Sequence, residues 1–415
     1  MILNLKIDNY KGIENEIHLN TKASNKIKRT DNKCSHITAS HKLLKTICII
    51  GCNGSGKTSI LSAVETVQHF ISFPFRKTLK NDDEFVDYIK TMNEEQLKKY
   101  LLQLNTLKLG EQNINKRDTP TSIEIELYIP QRDNNISGFY NYKIVYDNNY
   151  AKQGIISETL SYRPELEKKN TICLSRNKNI VESQIGTAIL YENNSINKKV
   201  NKYIDYYKSF ADEILQYTEC LLEGTSMPID DIFENNKEEF IRLCNIADDK
   251  IIDVSIDEND KNRNLQFWNK ENNYLYFSQL SEGTKKIIVL GSIILEALTN
   301  NKTLLIDEIE QSLHPTLVEF LLNLITSKSK NNFTQLIFTT HSPLLAFTLE
   351  NDELFFINNH ENKYEFYNIT TAIKLKLITK DQNRYKAWIN SLLVKNPSMQ
   401  QINSFLNLCN KKKSD

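Results

Sequence analysis

The amino-acid sequence predicts an α/β fold with a mixed sheet core, an antiparallel β subdomain and a compact, mainly helical insertion. Three patterns support this prediction. Residues 46–50 are continuously apolar, as a strand buried on both faces of a parallel sheet should be. Segments 122–128 and 140–146 alternate apolar and polar residues, which is typical of an antiparallel pair. From residue 280 onward, helix and strand patterns alternate, as they do in α/β domains.

The individual elements follow from hydrophobic periodicity. Strands are predicted over residues 3–9, 16–19, 46–50, 122–128, 140–146, 354–357 and 363–369, the last two as a hairpin. Helices are predicted over 57–70, 80–118, 200–222 and 236–247. The polar stretch 21–41 is interpreted as a loop. No heptad pattern lasts for three or four repeats, so no long coiled coil is expected.

Three segments are predicted along the chain. Residues 1–162 form the N-terminal half of the main domain, residues 163–250 form the helical insertion, and residues 251–415 form the C-terminal half. The polar, Asn/Lys-rich composition of the middle segment separates it from the apolar strands on either side. The two halves are therefore expected to come together into one domain from which the insertion projects.

Bulk composition excludes several classes of protein. Because the formal net charge is zero, no overall attraction to nucleic acid or to an acidic membrane is expected. The seven cysteines contain no C-x-x-C pair, which indicates reduced thiols rather than a disulfide framework or a zinc site. The most apolar run, residues 287–298, is too short to span a bilayer. With no signal-peptide pattern at the N-terminus, we expect a cytoplasmic protein without a membrane domain.

A glycine-rich segment carries the strongest motif. Residues 51–58, Gly-Cys-Asn-Gly-Ser-Gly-Lys-Thr, fit the P-loop pattern G-x-x-x-x-G-K-[ST] between a buried strand and an amphipathic helix. Loop N–H groups and the helix N-terminus attract phosphates, the lysine is expected to reach the β- and γ-phosphates, and the threonine is expected to ligate Mg²⁺. The residues expected to contact nucleotide here are Asn53, Gly54, Gly56, Lys57, Thr58 and Ser59. The alternative is a glycine-rich turn that matches by chance.

Two acidic residues follow the apolar strand at 303–306. Asp307 is expected to hold Mg²⁺, directly or through water, and Glu308 is expected to orient and deprotonate the attacking water. Taken alone, such a pair is more often a solvated turn or a helix cap. It gains weight here from its position after the P-loop in the chain.

Two further motifs complete the set. Leu-Ser-Glu-Gly at 280–283 precedes an apolar helix, so that Ser281 is either a plain N-cap or, with Gly283, a contact for a γ-phosphate. His341 follows a second buried strand and is either a γ-phosphate sensor or an ordinary polar residue at a strand end. Each motif is weak alone.

The order of the four motifs resembles that of the ABC-type ATPases of the AAA family, including the SMC and RecF groups. The resemblance implies a P-loop ATPase head that uses ATP and Mg²⁺. In that superfamily the signature serine of one protomer covers the ATP held by the P-loop of the other. This implies that Ser281 and Gly283 act in trans to Lys57, within a homodimer or a higher even oligomer.

Other segments resemble the OLD-like branch of this superfamily. Residues 7–13 are similar to the N-terminal strand and turn of RecF-like and OLD-like ATPases, residues 307–315 look like D-E-x-E-x-x-L-H-P, and residues 340–343 look like T-H-S-P. In the family the loop at 307–315 crosses the dimer interface. His314 therefore either acts there or simply caps the helix that Pro315 begins.

The chain carries no nuclease signature of its own. No D-x-D motif, which a Toprim nuclease needs to hold metal, follows His341, and no HNH constellation is found. The chain thus resembles the stand-alone ATPase subunits of bacterial anti-phage and abortive-infection systems of the AbiL, PARIS and Septu types. That resemblance implies a sensor or regulatory ATPase that controls a separately encoded effector, such as a Toprim-like or HNH nuclease.

Two other functions remain open. One is a RecF-like DNA repair or recombination ATPase, for which nucleic acid would be a partner. The other is an assembly scaffold in which ATP is structural and turnover is incidental. The glutamine that family members place between the P-loop and the signature motif also has three candidates, Gln131, Gln153 and Gln184.

Overall fold

A computed structural model gives the fold of the chain. It describes residues 1–23, 30–38, 41–72, 119–132, 135–146, 155–177, 209–222, 233–234, 236–257, 264–327, 332–342, 344–345, 348–360, 363–379 and 387. The predicted helix over 80–118, the residues Gln153 and Gln184, and Pro343 of the T-H-S-P match lie outside the described residues. So do residues 178–208 and 223–232, which make up much of the predicted insertion.

The described elements alternate between strands and helices along the chain. The strands are β1 Ile2–Asp8, β2 Ile17–Asn20, β3 Cys34–Thr38, β4 His41–Leu44, β5 Thr46–Ile50, β6 Thr121–Ile129, β7 Gly138–Tyr146, β8 Ile155–Arg163, β9 Thr171–Asn177, β10 Thr218–Leu221, β11 Asp253–Ile256, β12 Leu265–Trp268, β13 Tyr274–Tyr276, β14 Thr303–Ile306, β15 Gln335–Thr340, β16 Leu354–His360 and β17 Lys363–Asn368. The helices are α1 Thr30–Lys33, α2 Lys57–Ser72, α3 Lys237–Ala247, α4 Glu282–Asn300, α5 Pro315–Ser327 and α6 Ile369–Lys374.

The central sheet positions the candidate site. Its six strands run in the order β10-β14-β15-β5-β16-β17, and all neighbours are parallel except the hairpin pair β16 and β17. Because parallel strands end at the same edge, the segments that follow β5, β14 and β15 meet there. These are the three strands that precede the P-loop, the acidic pair and the histidine.

A second six-stranded sheet is antiparallel throughout, in the order β2-β1-β6-β7-β8-β9. The predicted pair at 122–128 and 140–146 is confirmed, with Ser122 opposite Val145 and Tyr128 opposite Phe139. Two smaller sheets, β11-β12-β13 and β3-β4, complete the described strands. The predicted mixed core with an antiparallel β subdomain is therefore confirmed.

The hydrophobic core lies on both faces of the central sheet. On β5, Cys48 and Ile50 pack with α4 and α5, while Ile47 and Ile49 pack on the opposite side with α2 and the antiparallel sheet. All five residues of β5 are buried. This two-sided burial explains why the sequence of the strand is continuously apolar.

Two of the predicted elements, one loop and one helix, are partly wrong. The supposed loop over 21–41 contains α1 and β3, because Cys34 and Ser35 are buried and the Ser35 hydroxyl donates to the Asn332 carbonyl oxygen at 2.6 Å. The supposed helix over 200–222 ends by residue 216, and β10 then joins β14 in the central sheet. β3 pairs with the neighbouring β4 and β10 pairs with the distant β14, and in both cases strand pairing overrides the local pattern.

The remaining strand and helix predictions agree with the structure where it describes them, to within a few residues. The three predicted segment boundaries stay a prediction. β9 belongs to the antiparallel sheet and β10 to the central sheet, so both ends of the predicted insertion contribute strands. Within the described part of the chain, the helices are too short or too polar to cross a membrane.

Candidate active site

The P-loop connects β5 to α2 and closes tightly on itself. A Cβ atom at Gly51 would lie 2.7 Å from Ile357 Cγ2 on β16, so the backbone approaches closely where a side chain would not fit. Gly56 has a φ of 95°, a conformation that L side chains rarely adopt. The loop therefore requires glycine at both positions. It lines a cavity of about 370 Å³ together with residues from four other segments.

The side chain of Lys57 folds back over the P-loop. Its ammonium group donates to the carbonyl oxygens of Gly51, at 2.9 Å, and Cys52, at 3.1 Å. Burial lowers the pKa of Lys57, and the nearby carboxylates of Asp307 and Glu308 partly offset this effect. An anion that offered stronger acceptors at this cavity would draw the ammonium away from the two carbonyl groups.

The next residue faces the acidic pair. The Thr58 hydroxyl donates to Asp307 Oδ2 at 2.7 Å, although the two residues are 249 positions apart in the chain. A hydroxyl and a carboxylate oxygen are hard ligands of the kind that Mg²⁺ prefers, and Mg²⁺ usually takes only one or two protein ligands beside phosphate and water. The described residues contain no larger cluster of His, Cys, Asp or Glu that could hold a metal by itself.

Thr339 at the end of β15 is a site residue that sequence reasoning missed. Its hydroxyl donates to Asp307 Oδ1 and accepts from the Glu308 N–H at 2.8 Å. The side chain is fully buried. The only sequence signal was its position two residues before His341, and the bond becomes visible only when β14 and β15 are placed side by side.

Glu308 and His341 form the third contact of the site. His341 Nε2 lies 3.1 Å from Glu308 Oε1, and the His341 backbone N–H donates to Glu310. Glu308 has a φ of 45°, in the left-handed region that non-glycine residues seldom occupy. The turn that follows β14 therefore curls around the end of β15. This strained turn aims the Glu308 carboxylate at the cavity.

The cavity brings together nearly all of the predicted residues of the P-loop half. Lys11 and Tyr364, which were not predicted, complete its wall beside Glu308 and His341. The P-loop residues that line it are Asn53, Gly54, Ser55, Gly56, Lys57, Thr58 and Ser59. Lys11 is positioned by the tight turn after β1, where the Ser59 hydroxyl donates to its carbonyl oxygen at 3.3 Å.

The signature motif stands apart from this cavity. Ser281 caps α4 by accepting from the Thr284 N–H at 3.1 Å, as the plain N-cap reading expects, and its side chain is exposed. Neither Ser281 nor Gly283 lines the P-loop cavity of the same chain. A Cβ atom at Gly283 would lie 3.1 Å from the Ser312 carbonyl oxygen, so the motif packs against the turn after Glu308.

The structure also shows where two other predicted residues, His314 and Gln131, lie. His314 is exposed and its Nδ1 accepts from the Thr316 N–H at 3.4 Å, which is the geometry of a helix cap. Gln131 follows β6 at the end where Tyr128 pairs with Met1, at the start of β1. The turn that contacts the P-loop helix follows the opposite end of β1. The structure therefore does not bring Gln131 to the cavity.

The described geometry fits a nucleoside triphosphate with Mg²⁺. A glycine cradle, a buried lysine on a helix N-terminus and an adjacent hydroxyl–carboxylate pair are the groups that such a ligand needs. Residues 47–346, more than half of the chain, match the family described as "AAA domain, putative AbiEii toxin, Type IV TA system". The chain belongs to this AAA family. No curated protein matches it.

Solved structures of SMC heads align with this AAA protein. An SMC head bound to the C-winged helix domain of ScpA aligns with a TM-score of 0.50 at 11% identity, covering 89% of this chain and 99% of that chain. An SMC head domain from Thermotoga maritima aligns with a TM-score of 0.40 at 13% identity, over 88% and 98%. An SMC head domain with an extended coiled coil, bound to the C-terminal domain of ScpA derived from Pyrococcus furiosus, gives 0.44 and 10%, over 91% and 98%.

At these identities the similarity concerns the fold alone, and the first alignment carries it. The AAA protein has the SMC-head-like fold of the ABC-type P-loop ATPases. The predicted fold class is therefore confirmed, including its ABC-type head.

Proposed function

We propose that the chain hydrolyses ATP in sites shared between two head-to-tail copies, and that turnover controls a separately encoded effector of a bacterial anti-phage system. The observation that carries the ATPase part is the meeting of Lys57, the Thr58–Asp307 pair and the Glu308–His341 pair at one edge of the central sheet. Five side chains from three strand ends converge there, and each is of the type that phosphoryl transfer to water needs.

The proposed mechanism assigns one task to each group. Lys57 leaves the P-loop carbonyl oxygens and binds the β- and γ-phosphates, and Thr58 and Asp307 would hold Mg²⁺. When bound, Mg²⁺ neutralises negative charge on the phosphate oxygens. Glu308 accepts a proton from the water whose oxygen attacks the γ-phosphorus, and the bond to the ADP oxygen breaks. His341 holds the Glu308 carboxylate in place for this transfer.

The shared site is proposed because no residue of the signature motif lines the P-loop cavity of the same chain. Ser281 is exposed and lies outside the P-loop cavity of its own chain, so it is free to cover a nucleotide held by a second copy. A serine hydroxyl at a helix N-terminus is well suited to a γ-phosphate. In this arrangement Ser281 and Gly283 of one copy act on the nucleotide bound at Lys57 of the other.

The test of the shared ATPase site is the turnover of purified protein as a function of its own concentration. We expect specific activity to rise with concentration, because only the dimer completes the site. Glu308→Gln should bind ATP and lose hydrolysis by a factor on the order of 10² or more, as expected for loss of a general base. Glu319→Gln, an exposed position on α5, serves as the matched control. Normal turnover by Glu308→Gln would remove Glu308 from the mechanism.

The defence role rests on the OLD-like motifs and on the family description, which names a putative AbiEii toxin and a Type IV TA system. It predicts an effector gene beside the gene for this chain and protection of cells against phage. Protection should require both genes and should change in Glu308→Gln. If cells show no protection and no effector gene is adjacent, this part of the proposal fails while the ATPase part stands.

A further inference from the structure

One buried hydroxyl contacts both the Asp307 carboxylate and the Glu308 backbone, the two residues to which the proposed mechanism gives the metal and the proton. Thr339 is the second-last residue of β15, next to β14, and its side chain has no exposed surface. Its Oγ1 contacts Asp307 Oδ1 on one side and the Glu308 N–H, at 2.8 Å, on the other. Its carbonyl oxygen also accepts from the Ile309 N–H at 3.3 Å.

The direction of these hydrogen bonds is fixed by chemistry. The Glu308 N–H can only donate, so it uses a lone pair of the threonine oxygen. The one hydroxyl proton is then available to Asp307 Oδ1, and an ionised carboxylate can only accept it. The Thr339 hydroxyl therefore holds the Asp307 side chain and the Glu308 backbone at the same time.

Each bond has a separate consequence. With Oδ1 of Asp307 held by Thr339, Oδ2 is turned toward the Thr58 hydroxyl, 2.7 Å away, where the metal is proposed to bind. The second bond satisfies the N–H of Glu308 in its left-handed conformation, with φ at 45°. Such a conformation costs on the order of 1–3 kcal/mol and persists only where its surroundings hold it.

We propose that Thr339 is a positioning residue that orients Asp307 toward Mg²⁺ and fixes the Glu308 turn through one hydroxyl group. This inference rests on the proposed ATPase function and names a residue that controls the same site. The Thr339 side chain is not among those that line the P-loop cavity. It acts only through Asp307 and Glu308, which follow β14.

The test compares Thr339→Val with Thr339→Ser. Valine keeps the shape of the side chain and removes the hydroxyl, whereas serine keeps the hydroxyl. The measurement is the affinity for a fluorescent ATP analogue, with Mg²⁺ and with EDTA in its place. In EDTA, the affinity of Thr339→Val for the analogue should be unchanged. Mg²⁺ raises this affinity, and the increase should be smaller in Thr339→Val by a factor on the order of ten, the size expected for one hydrogen bond to a charged group. Thr339→Ser should retain the gain.

Thr340→Val is the matched control. Thr340 is the next residue on β15, it is equally buried, and its hydroxyl accepts from the Ser342 N–H at 2.9 Å rather than touching a carboxylate. It should keep the full Mg²⁺ effect. If Thr339→Val fails to fold, Thr339→Ala carries the same comparison.

Two outcomes would overturn the inference. One is an unchanged Mg²⁺ gain in Thr339→Val, and the other is an equal loss of affinity with and without Mg²⁺, which is what a purely structural residue would give. Failure of the proposed function is recognised separately, because the unmodified chain would then show no Glu308-dependent hydrolysis. A hydrolysing parent with an unaffected Thr339→Val variant would reject this inference alone.

Discussion

At the scale of residues, the candidate site is a set of side chains that hold one another. Lys57 donates to its own loop, Thr58 donates to Asp307, and Glu308 is held by His341. Each of these polar groups is therefore held by a protein partner. In the proposed mechanism, the Lys57 ammonium exchanges its two bonds to carbonyl oxygens for stronger bonds to charged phosphate oxygens.

How far the sequence predicts the site depends on the kind of residue. The P-loop glycines and Lys57 were predictable because backbone wrapping of phosphates restricts residue type at fixed spacing. Thr339 was not, because its role depends on a neighbour 32 positions away, across two strands. The positive φ of Glu308 was equally hidden, since glutamate has no preference for that conformation.

Lys45, which precedes β5, gives a prediction about pH. Its side chain is fully buried, and burial lowers its pKa to about 8 from the ordinary 10.5. Between these values the unfolded chain binds more protons than the folded chain, so the free energy of unfolding gains a contribution that rises with pH. Below pH 8 both states are protonated, and burying the charge is a constant cost.

Lys45→Met should therefore be more stable than the unmodified chain at pH 7, and the gap should narrow from about pH 8 toward 10.5. The measurement is urea unfolding of both proteins across this range. Lys374→Met, at an exposed lysine on α6, should show no such narrowing. A gap that is constant with pH would show that Lys45 keeps its ordinary pKa in the folded chain.

At the scale of elements, the central sheet explains what the sequence could and could not indicate. β5 is buried on both faces and was predictable from its apolar run. β3 was not, because its polar residues are satisfied by contacts such as the Ser35 bond to Asn332. β10 was mistaken for the end of a helix, since only its pairing with β14 makes it a strand.

The contact between α3 and α4 gives a prediction about packing. Gly291 on α4 faces Leu243 on α3, and a Cβ atom at Gly291 would lie 2.5 Å from Leu243 Cδ1. Gly291→Ala should destabilise the fold, because overpacking costs about 1–3 kcal/mol and outweighs the ~1 kcal/mol gain in helix propensity. Thermal unfolding measures the change.

The matched control reverses the sign of the effect. In a Leu243→Ala background the clash is absent, so the same Gly291→Ala change should stabilise by the helix propensity alone, about 1 kcal/mol. If Gly291→Ala has the same effect in both backgrounds, Leu243 does not limit the approach of the two helices.

At the scale of the whole molecule, the signature serine lies outside the P-loop cavity of its own chain, although the start of α4 and the start of α2 line a second, larger cavity together. Lys57 lines the P-loop cavity, whereas Ser281 is exposed at the start of α4 and outside that cavity. In a head-to-tail dimer, the signature motif of each copy would face the P-loop of the other, and this would form two equal sites.

The most direct test of this shared site mixes two inactive variants. Lys57→Ala should fail to bind ATP but offers an intact Ser281, and Ser281→Arg should bind ATP but cannot cover the site of its partner. Each alone should be inactive at any concentration. A mixture should recover part of the ATPase activity, because a mixed dimer contains one complete site. A mixture that stays inactive, or a Ser281→Arg variant that hydrolyses ATP normally, would contradict the shared site.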